Sequence, residues 1–387
     1  MVELLWLLLP VAALSGWMAG RRSRGGGQGH GSRLHGEYFQ GLNYLLNEQP
    51  DKAIEVFMRM VEVDSDTVET HLALGNLFRR RGEVDRAIRI HQNLIARPSL
   101  SREQRTYALL ELGEDYLRAG LLDRAESLFT EVVELDAHVE PALRSLLDIY
   151  QQEKEWGKAI EVASRLESVS GEKLSPMIAQ FLCEQAELAR ASGEINQAGQ
   201  LLRHALSVHP GCVRASILQG DVERSVANYR AAIPAYQRVA DQDVEYLPEV
   251  LQPLRECFEA LDRRQDFIAY LESIQNRYQG VSVLLLLTEQ ILHEHGEEAA
   301  ASHLIRQLHR RPSVRGLNRL IELNLAGHGG SGMSEMEVLR DLFSELLRDK
   351  PVYSCRQCGF CARTLHWHCP SCRSWASIRP IQGVEGE

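Results

Sequence analysis

Four cysteines near the end of the chain carry the clearest chemical signal in the sequence. Cys355 and Cys358 form one Cys-x2-Cys pair, and Cys369 and Cys372 form a second pair after ten intervening residues. The spacing within each pair lets both thiolates reach one tetrahedral metal ion. We therefore predict a site for a single ion with these four cysteines as its ligands.

Other side chains of the same segment could also bind metal. Cys361, His366 and His368 lie between the two pairs, but four thiolates already complete a tetrahedral set. We expect Trp367 and Trp375 to pack the core of this small domain. The remaining cysteines are scattered through helical segments and are expected to be small buried apolar residues; they are Cys183, Cys212 and Cys257.

The segment before the cysteines is expected to deliver them to the rest of the chain. Residues 327–334 are too rich in glycine for a helix and predict a mobile connector. A last amphipathic helix is predicted over residues 334–350, where it could cap the preceding array. Its apolar stripe consists of Met336, Leu339, Leu342, Phe343, Leu346 and Leu347.

A 34-residue period runs through the middle of the chain. Gly41 and Gly75 are 34 residues apart, and so are Ala53 and Ala87. The same step separates further pairs: Ala125 and Ala159, Ala198 and Ala232, Ala232 and Asp266, and Asp266 and Ala300. Small residues at fixed places of a 34-residue unit are typical of tetratricopeptide (TPR) helix hairpins, which pack closely only where side chains are small.

Glycines and loops should punctuate the array. Gly82, Gly120 and Gly193 are predicted to end helices with positive φ. Two steps of the period are longer, at 38 and 39 residues, and we place the extra residues in loops around Pro98 and residues 171–176. An irregular helical bundle is the alternative, but the recurring period disfavours it.

Composition excludes several functions. The chain has 387 residues, a net charge of −10 and only 6% aromatic residues. An acidic balance argues against nucleic-acid binding, and few aromatics with much Leu and Ala favour helices over a β-sandwich. The sequence contains no HExxH, Walker or nucleophile-elbow motif, so we expect no enzyme.

The beginning of the sequence is apolar. Residues 2–20 contain one charge, Glu3, with Trp6 and Trp17 toward the two ends, and three arginines follow within residues 21–24. A run of this length and charge order predicts a transmembrane helix with the following chain in the cytoplasm, and a cleaved signal peptide is the alternative. A cytoplasmic location keeps thiols reduced, which favours metal over disulfides at the four cysteines.

These segments predict an all-α TPR solenoid with one N-terminal transmembrane helix and a small C-terminal rubredoxin-like metal ribbon. The expected domains are a membrane anchor at 1–20, a basic, glycine-rich linker at 21–34, and about eight to nine TPR units at 35–326. A loop and capping helix at 327–350 and the metal domain at 351–387 complete the chain.

The combination of segments resembles the lipopolysaccharide assembly protein B (LapB) family of Gram-negative bacteria over nearly the whole chain. The most specific stretches are ELLWLLLPVAA with the following GRR, HLALGNLFRRRGEVDRAIRIHQ, and YSCRQCGFCARTLHWHCPSCRSW. The ligand cysteines of that family fall on Cys355, Cys358, Cys369 and Cys372. Cys361 departs from the family pattern, in which a different residue type is expected.

This resemblance implies a function that composition cannot show. Family members act at the bacterial inner membrane, facing the cytoplasm, as adaptors for the FtsH-type membrane AAA+ protease. They promote degradation of the UDP-acyl-N-acetylglucosamine deacetylase of lipid A synthesis and thereby regulate lipopolysaccharide synthesis. Inner-membrane regulators and lipopolysaccharide transport proteins are further implied partners, and an oligomer is possible.

Two other functions stay open at this point. One is a scaffold for envelope-assembly enzymes without a proteolytic role. The other is a redox protein, because the CxxCGF and CPxC pairs resemble rubredoxin, which holds iron with the same four thiolates. Zinc and iron are therefore both candidates, and zinc is favoured because an electron carrier needs no helical array.

Overall fold

The computed structural model describes residues 29–47, 49–63, 68–278, 280–327, 333–348, 350–384 and 386–387. They form two compact units, which divide between Lys154 and Glu155. In both units consecutive helices pack on their neighbours in the chain, and the second unit also contains a small antiparallel sheet. The prediction of an all-helical array followed by a small ribbon is confirmed.

The described residues of the first unit form seven helices. They are α1 (Gly29–Leu46), α2 (Pro50–Val63), α3 (Val68–Arg80), α4 (Val84–Ile95), α5 (Arg102–Arg118), α6 (Leu122–Glu134) and α7 (Val139–Glu153). Helix α4 shows why they form, since Ala87, His91 and Leu94 recur on one buried face at helical spacing. Helix α5 begins with a capping box between Ser101 and Gln104.

The second unit continues with further helices and three strands. The helices are α8 (Trp156–Ser170), α9 (Ser175–Ala191), α10 (Ile195–Val208), α11 (Val213–Ser225), α12 (Tyr229–Gln242), α13 (Leu247–Ala260), α14 (Arg264–Gln275), α15 (Val281–His295), α16 (Glu297–Arg310), α17 (Val314–Gly327) and α18 (Met333–Arg348). A 3-10 turn, Val244–Tyr246, precedes α13. The strands are β1 (Tyr353–Cys355), β2 (Cys361–Ala362) and β3 (Ile378–Pro380).

A glycine of the first helix lies against a ring of the second helix in four hairpins, which confirms the role assigned to the small residues. A Cβ atom at Gly113 would lie 2.6 Å from Phe129 Cε1, a distance that no folded protein tolerates without movement. The same relation joins Gly41 with Phe57, Gly75 with His91, and Gly220 with Tyr236.

The predicted turns and loops are also confirmed. Gly82, Gly120 and Gly193 have φ values of 81°, 75° and 82°, in the left-handed region that glycine adopts without strain. The longer steps of the period fall in the connection between α4 and α5 and in that between α8 and α9.

The predicted transmembrane helix requires a correction. Within the described ranges, no helix is long and apolar enough to cross a membrane. Helix α4 illustrates the physical reason, since the charged Asp85, Arg86 and Arg89 alternate with its buried residues. We therefore withdraw the transmembrane helix from the predicted fold class, and with it the predicted single-pass location in the inner membrane. The segment predicted to span, residues 1–20, lies outside the described residues, and α1 begins within the predicted linker.

The last helix differs from the expectation of a buried capping stripe. Helix α18 packs on α17, but Leu339, Leu342 and Leu346 of the predicted stripe are exposed by 43%, 51% and 57%. The glycine-rich core of the predicted connector, residues 328–332, lies outside the described residues.

The three strands form a small sheet that organises the end of the chain. Strand β1 is central and pairs antiparallel with both β2 and β3. The register places Cys355 opposite Ile378 and Ser354 opposite Cys361. The sheet therefore ties the first cysteine pair to β3, which follows the second pair in the sequence.

Candidate metal centre

The first cysteine pair sits on a tight turn after β1. Cys355 is the last residue of the strand, and its backbone N–H donates to Phe360 O at 2.7 Å. Gly359, with a φ of 76°, closes the turn by donating its N–H to Cys355 O at 2.9 Å. Only glycine takes this conformation without strain, so the glycine after the pair permits both Cys355 and Cys358 to face the same point.

The second pair sits on a comparable turn. Cys369 is fully buried, and its N–H donates to Ser374 O at 3.0 Å. Arg373 adopts a positive φ of 58° and donates its N–H to Cys369 O at 2.9 Å. An isolated bridge between His368 and Trp375 closes the hairpin around Cys372.

The four thiols meet at one point. Their sulfur atoms all lie within 4.8 Å of one another. The sulfurs of Cys355 and Cys372 are 3.7 Å apart, and those of Cys358 and Cys369 are also 3.7 Å apart. Four thiolates about 2.3 Å from a tetrahedral ion lie roughly 3.8 Å from one another. The donor set therefore fits one zinc or iron ion, and the prediction of a four-cysteine metal centre is confirmed.

Local hydrogen bonds prepare some of these thiols for ligation. Burial raises the pKa of the Cys355 thiol, but hydrogen bonding with Ser377 and backbone amides outweighs it and lowers the pKa to about 6. Hydrogen bonding to Ser374 lowers the pKa of Cys372. Burial raises the pKa of Cys369 to about 11. A metal ion favours the thiolate form of every ligand, including the buried one.

The three alternative ligands lie apart from the sulfur cluster. Cys361 is exposed on β2, and its sulfur lies 3.4 Å from Gly359 O. The His366 ring lies beside Thr364. The His368 ring stacks on Trp375 at 4.4 Å between centroids. Within the described residues, the group that can hold a metal consists of the four predicted cysteines.

The metal domain docks on the repeats of the second unit through Trp367. This indole stacks on Tyr246 with 5.3 Å between ring centroids and an interplanar angle of 24°. The Arg214 guanidinium lies 5.9 Å from the centroid of the Trp367 ring. Arg214 is itself held by ion pairs to Glu184 at 2.8 Å and Glu187 at 2.6 Å. The ring is therefore fixed between a stacked aromatic and a buried cation.

A second aromatic contact lies beside the second cysteine pair. The Trp375 ring packs edge-on against Phe181 of α9 at 5.7 Å and against Trp156 of α8 at 6.0 Å. Trp156 and Phe181 stack on each other at 5.7 Å. The prediction that Trp367 and Trp375 pack the core of the metal domain is wrong, because both rings lie against the repeats.

Ion pairs surround the aromatic contacts. Arg379 of β3 donates to Asp243 at 2.6 Å and to Glu245 at 2.9 Å. Arg356, beside the first cysteine, also pairs with Glu245. Two cations of the metal domain thus meet two acids of the 3-10 turn region, which supports a single docking orientation.

Two tyrosine hydroxyls complete the dock. Tyr246 donates to Ile378 O at 2.9 Å, and Tyr353 donates to Glu249 Oε1 at 2.7 Å. Burial raises the pKa of Glu249, and the hydrogen bond from Tyr353 only partly offsets this. Burial also raises the pKa of Tyr246 to about 12, so it stays a hydrogen-bond donor at neutral pH.

Sequence reasoning did not find the docking residues of the repeats. Tyr246, Glu249 and Phe181 occupy ordinary positions of helical segments, and their partners lie more than 100 residues away. One signal was present, because two tryptophans in a segment with little apolar mass exceed what a small core can bury. The other cysteines agree with the prediction, since Cys183, Cys212 and Cys257 are buried among the helices.

Comparisons with protein families identify the separate parts of the chain. Residues 353–380 match a zinc-ribbon family described as a rubredoxin metal binding domain. Residues 70–105 and residues 183–245 match tetratricopeptide repeat families. The TPR interpretation of the period is thereby confirmed in both units.

Curated relatives match over the full length. The chain is 43% identical over 388 residues to lipopolysaccharide assembly protein B of Escherichia coli strain K12, with complete coverage of both chains. It is 36% identical over 395 residues to lipopolysaccharide assembly protein B of Haemophilus influenzae, again with complete coverage.

Solved structures add only a distant likeness. The C-terminal part of a TPR repeat-containing protein from Cytophaga hutchinsonii has a TM-score of 0.38 and 11% identity, covering 61% of this chain and 93% of that one. A likeness at this level carries no functional argument.

Proposed function

Because the chain belongs to the lipopolysaccharide assembly protein B family, we propose that it regulates lipopolysaccharide synthesis as a protein-binding adaptor. Its partners in this role are an FtsH-type AAA+ protease and the UDP-acyl-N-acetylglucosamine deacetylase of lipid A synthesis. The chain binds the deacetylase through its TPR helices and promotes its degradation without chemistry of its own. Inner-membrane regulators and lipopolysaccharide transport proteins are further partners.

The observation that carries this proposal is 43% sequence identity, over the full length of both chains, to a protein named for lipopolysaccharide assembly. The dock of the metal domain supports the mechanism, because TPR helices of the second unit already hold a folded domain. They hold it with a central aromatic stack, Trp367 on Tyr246, and a rim of ion pairs such as that between Arg379 and Glu245. Aromatic anchors with a polar rim are the usual composition of protein-binding surfaces.

Ion pairs join successive repeats of the second unit. Arg224 of α11 pairs with Glu256 of α13 at 2.6 Å, and Arg255 of α13 pairs with Glu289 of α15 at 3.1 Å. Each pair joins the first helix of one hairpin to the first helix of the next. Surface pairs contribute little energy individually, but a series of them favours one spacing of the repeats over others.

We assign the metal a structural role, with Cys355, Cys358, Cys369 and Cys372 as ligands and zinc as the ion. All four tetrahedral positions are filled by protein, as in structural zinc sites. The ion supplies a crosslink between the two turns that carry the dock. Purified protein should be colourless with one zinc per chain, whereas visible absorbance with iron would support the redox alternative.

A depletion experiment tests the adaptor function. Cells in which this protein is depleted should degrade the deacetylase several-fold more slowly in a pulse-chase measurement, and expression of the wild-type chain should restore rapid turnover. Another enzyme of lipid A synthesis, followed in the same cells, controls for general changes in proteolysis.

The same experiment distinguishes the adaptor from an assembly scaffold, a function that the name of the relatives favours equally. A scaffold without a proteolytic role would leave the half-life of the deacetylase unchanged on depletion, while lipopolysaccharide assembly would still fail. That result would contradict the proposed adaptor function.

A further inference from the structure

The side-chain carboxylate of Glu387 is captured by the repeats. Glu387 is only 8% exposed. Its carboxylate accepts hydrogen bonds from Tyr278 Oη at 2.9 Å, from Ser282 Oγ at 2.7 Å and from Ser282 N at 3.1 Å, and it forms an ion pair with Arg315. Hydroxyl and amide donors and a guanidinium are groups that bind carboxylate oxygens.

The three groups that hold Glu387 come from different elements. Tyr278 follows α14, Ser282 lies in the first turn of α15 where the helix dipole is positive, and Arg315 lies in the first turn of α17. Tyr278 is 2% exposed and cannot ionise near neutral pH, because burial and the Glu387 charge raise its pKa strongly. These groups form a fixed receptor for one carboxylate.

A cavity of about 840 Å³ opens directly beside this receptor. Its wall on one side is the end of the chain, including Gly383 and Glu387, and on the other side the turns after α14 and α16. The wall carries Arg310 and Arg311, both exposed. The Arg311 guanidinium donates to Tyr278 O at 3.2 Å and forms no ion pair among the described residues, and the Arg310 guanidinium has no partner among them.

The acids of the cavity are already neutralised, whereas these two arginines are not. Glu245 is paired with Arg379 and Arg356, and Glu387 is paired with Arg315. Among the residues that the structure describes, the cavity wall therefore presents uncompensated positive charge beside the groups that hold Glu387. The surface of the cavity that carries Arg310 and Arg311 is complementary to an anionic ligand.

We propose that this cleft is a binding site for an acidic peptide segment of a partner protein, and that the chain's own residues 381–387 occupy its carboxylate receptor as a displaceable internal ligand. An incoming glutamate replaces Glu387 between Tyr278, Ser282 and Arg315, and further acids of the peptide meet Arg310 and Arg311. The exchange conserves ion pairs, so its direction depends on the concentration and sequence of the incoming peptide.

The tail is suited to a reversible role because its fixation is local. Its other described contacts with the repeats include one backbone hydrogen bond, from Val314 N to Val384 O at 2.8 Å. A short internal turn holds the rest, with Glu387 N donating to Ile381 O at 2.7 Å. Release of this turn leaves the aromatic dock of the metal domain, through Trp367 and Trp375, in place.

This inference deepens the proposed protein-binding function, on which it rests for the class of ligand. Its test is nevertheless independent of deacetylase turnover, since it uses purified protein and a synthetic probe. A failure of the peptide to bind would leave the adaptor function untouched, and a failure of the adaptor function would leave the measured peptide affinity unchanged.

The probe is a fluorescein-labelled heptapeptide with the sequence of residues 381–387, IQGVEGE, and binding to the full-length chain is measured by fluorescence anisotropy. The Glu387→Gln variant, which loses the internal ion pair with Arg315, should bind this peptide at least tenfold more tightly than the wild-type chain does. The matched peptide IQGVEGQ should bind this variant at least tenfold more weakly than IQGVEGE.

Second substitutions in the Glu387→Gln background locate the site. Adding Arg315→Ala should weaken peptide binding at least tenfold, and adding Arg310→Ala should weaken it several-fold. Arg203→Ala, at an exposed arginine of α10 outside the cleft, should leave it unchanged. Unaltered metal content verifies that each variant is folded.

Three results would overturn the proposal. The first is no difference in peptide affinity between wild type and Glu387→Gln, and the second is equal affinity for the two peptides. The third is complete displacement of the peptide by inorganic phosphate at low millimolar concentration, which would identify a general anion site without peptide preference.

Discussion

The Trp367 ring of the metal domain stacks on the Tyr246 ring of the repeats with 5.3 Å between their centroids. The two residues are separated by 121 positions in the sequence, so this stack joins distant parts of the second unit. It lies within a group of packed apolar residues that includes Leu247 and Phe258. Stability of the repeats and integrity of the metal domain are therefore coupled through this contact.

Trp367→Ala tests the coupling. Loss of this half-buried indole should lower the free energy of unfolding by about 2 kcal/mol, since full truncation of a buried aromatic costs about 3–5 kcal/mol. The measurement is the urea midpoint of full-length protein followed by circular dichroism. Trp367→Phe keeps a stacked ring and should lose less than half as much. Identical midpoints for wild type and Trp367→Ala would contradict a contribution of the dock.

The variants Cys355→Ser and Cys361→Ser test which cysteines bind the metal ion. Cys355 belongs to the sulfur cluster, whereas Cys361 is exposed on β2. Serine at a thiolate position leaves three ligands, so the bound metal should fall from about one ion per chain to a small fraction of that value. Cys361→Ser should retain it. Elemental analysis by mass spectrometry gives the ratio, and metal retention in Cys355→Ser would refute the assigned ligand set.

Gly113→Ala tests the close approach of helices in a hairpin. The added Cβ would lie 2.6 Å from Phe129 Cε1, and overpacking of a core costs about 1–3 kcal/mol. Gly199→Ala is the control, because the nearest atom there is the end of the flexible Arg203 side chain at 3.4 Å. Alanine should stabilise that helix by about 0.5–1 kcal/mol. Thermal unfolding of both variants should therefore shift in opposite directions; shifts of the same sign would count against the packing argument.

Glu249→Gln tests the buried carboxyl of the dock. Burial raises the pKa of Glu249 in the folded protein above its ordinary value. A raised folded-state pKa means that the protonated form is favoured by folding, so the contribution of this group to stability is present at low pH and is lost as pH rises through the folded pKa. Glutamine keeps an acceptor for the Tyr353 hydroxyl without the charge.

The melting temperature of Glu249→Gln relative to wild type should therefore increase between pH 4 and pH 7.5. Tyr353→Phe removes the donor and should lower the melting temperature at both pH values. A melting temperature of Glu249→Gln that falls relative to that of wild type as pH rises would contradict the direction of the pKa shift.

Sequence periodicity predicted the parts of the fold that depend on local rules. The 16-residue offset from Gly113 to Phe129 recurs from Gly220 to Tyr236. It recurs because the two helices of each hairpin pack on each other in the same way, with a glycine against a ring. Gly193 was predictable as a turn because a helix end requires a positive φ there. The two cysteine pairs were predictable because metal geometry limits ligand spacing.

Contacts between distant segments were not predictable from the same patterns. The contact of Trp375 with Phe181 depends on the orientation of the whole metal domain, which no local sequence period determines. The capture of Glu387 by Ser282 and Arg315 depends on the starts of α15 and α17 coming together. The exposed Leu342 shows the opposite error, because an apolar stripe indicates a face for packing but not whether a described neighbour covers it.

Reconstituted proteolysis tests the proposed adaptor function most directly. Purified FtsH-type protease, the lipid A pathway deacetylase and ATP are mixed with and without this chain, and loss of the deacetylase is followed over time. We predict that the full-length chain accelerates this loss several-fold, while degradation of an unrelated substrate of the same protease stays unchanged. An unchanged rate of deacetylase loss, measured with folded, metal-loaded protein, would contradict the proposed function.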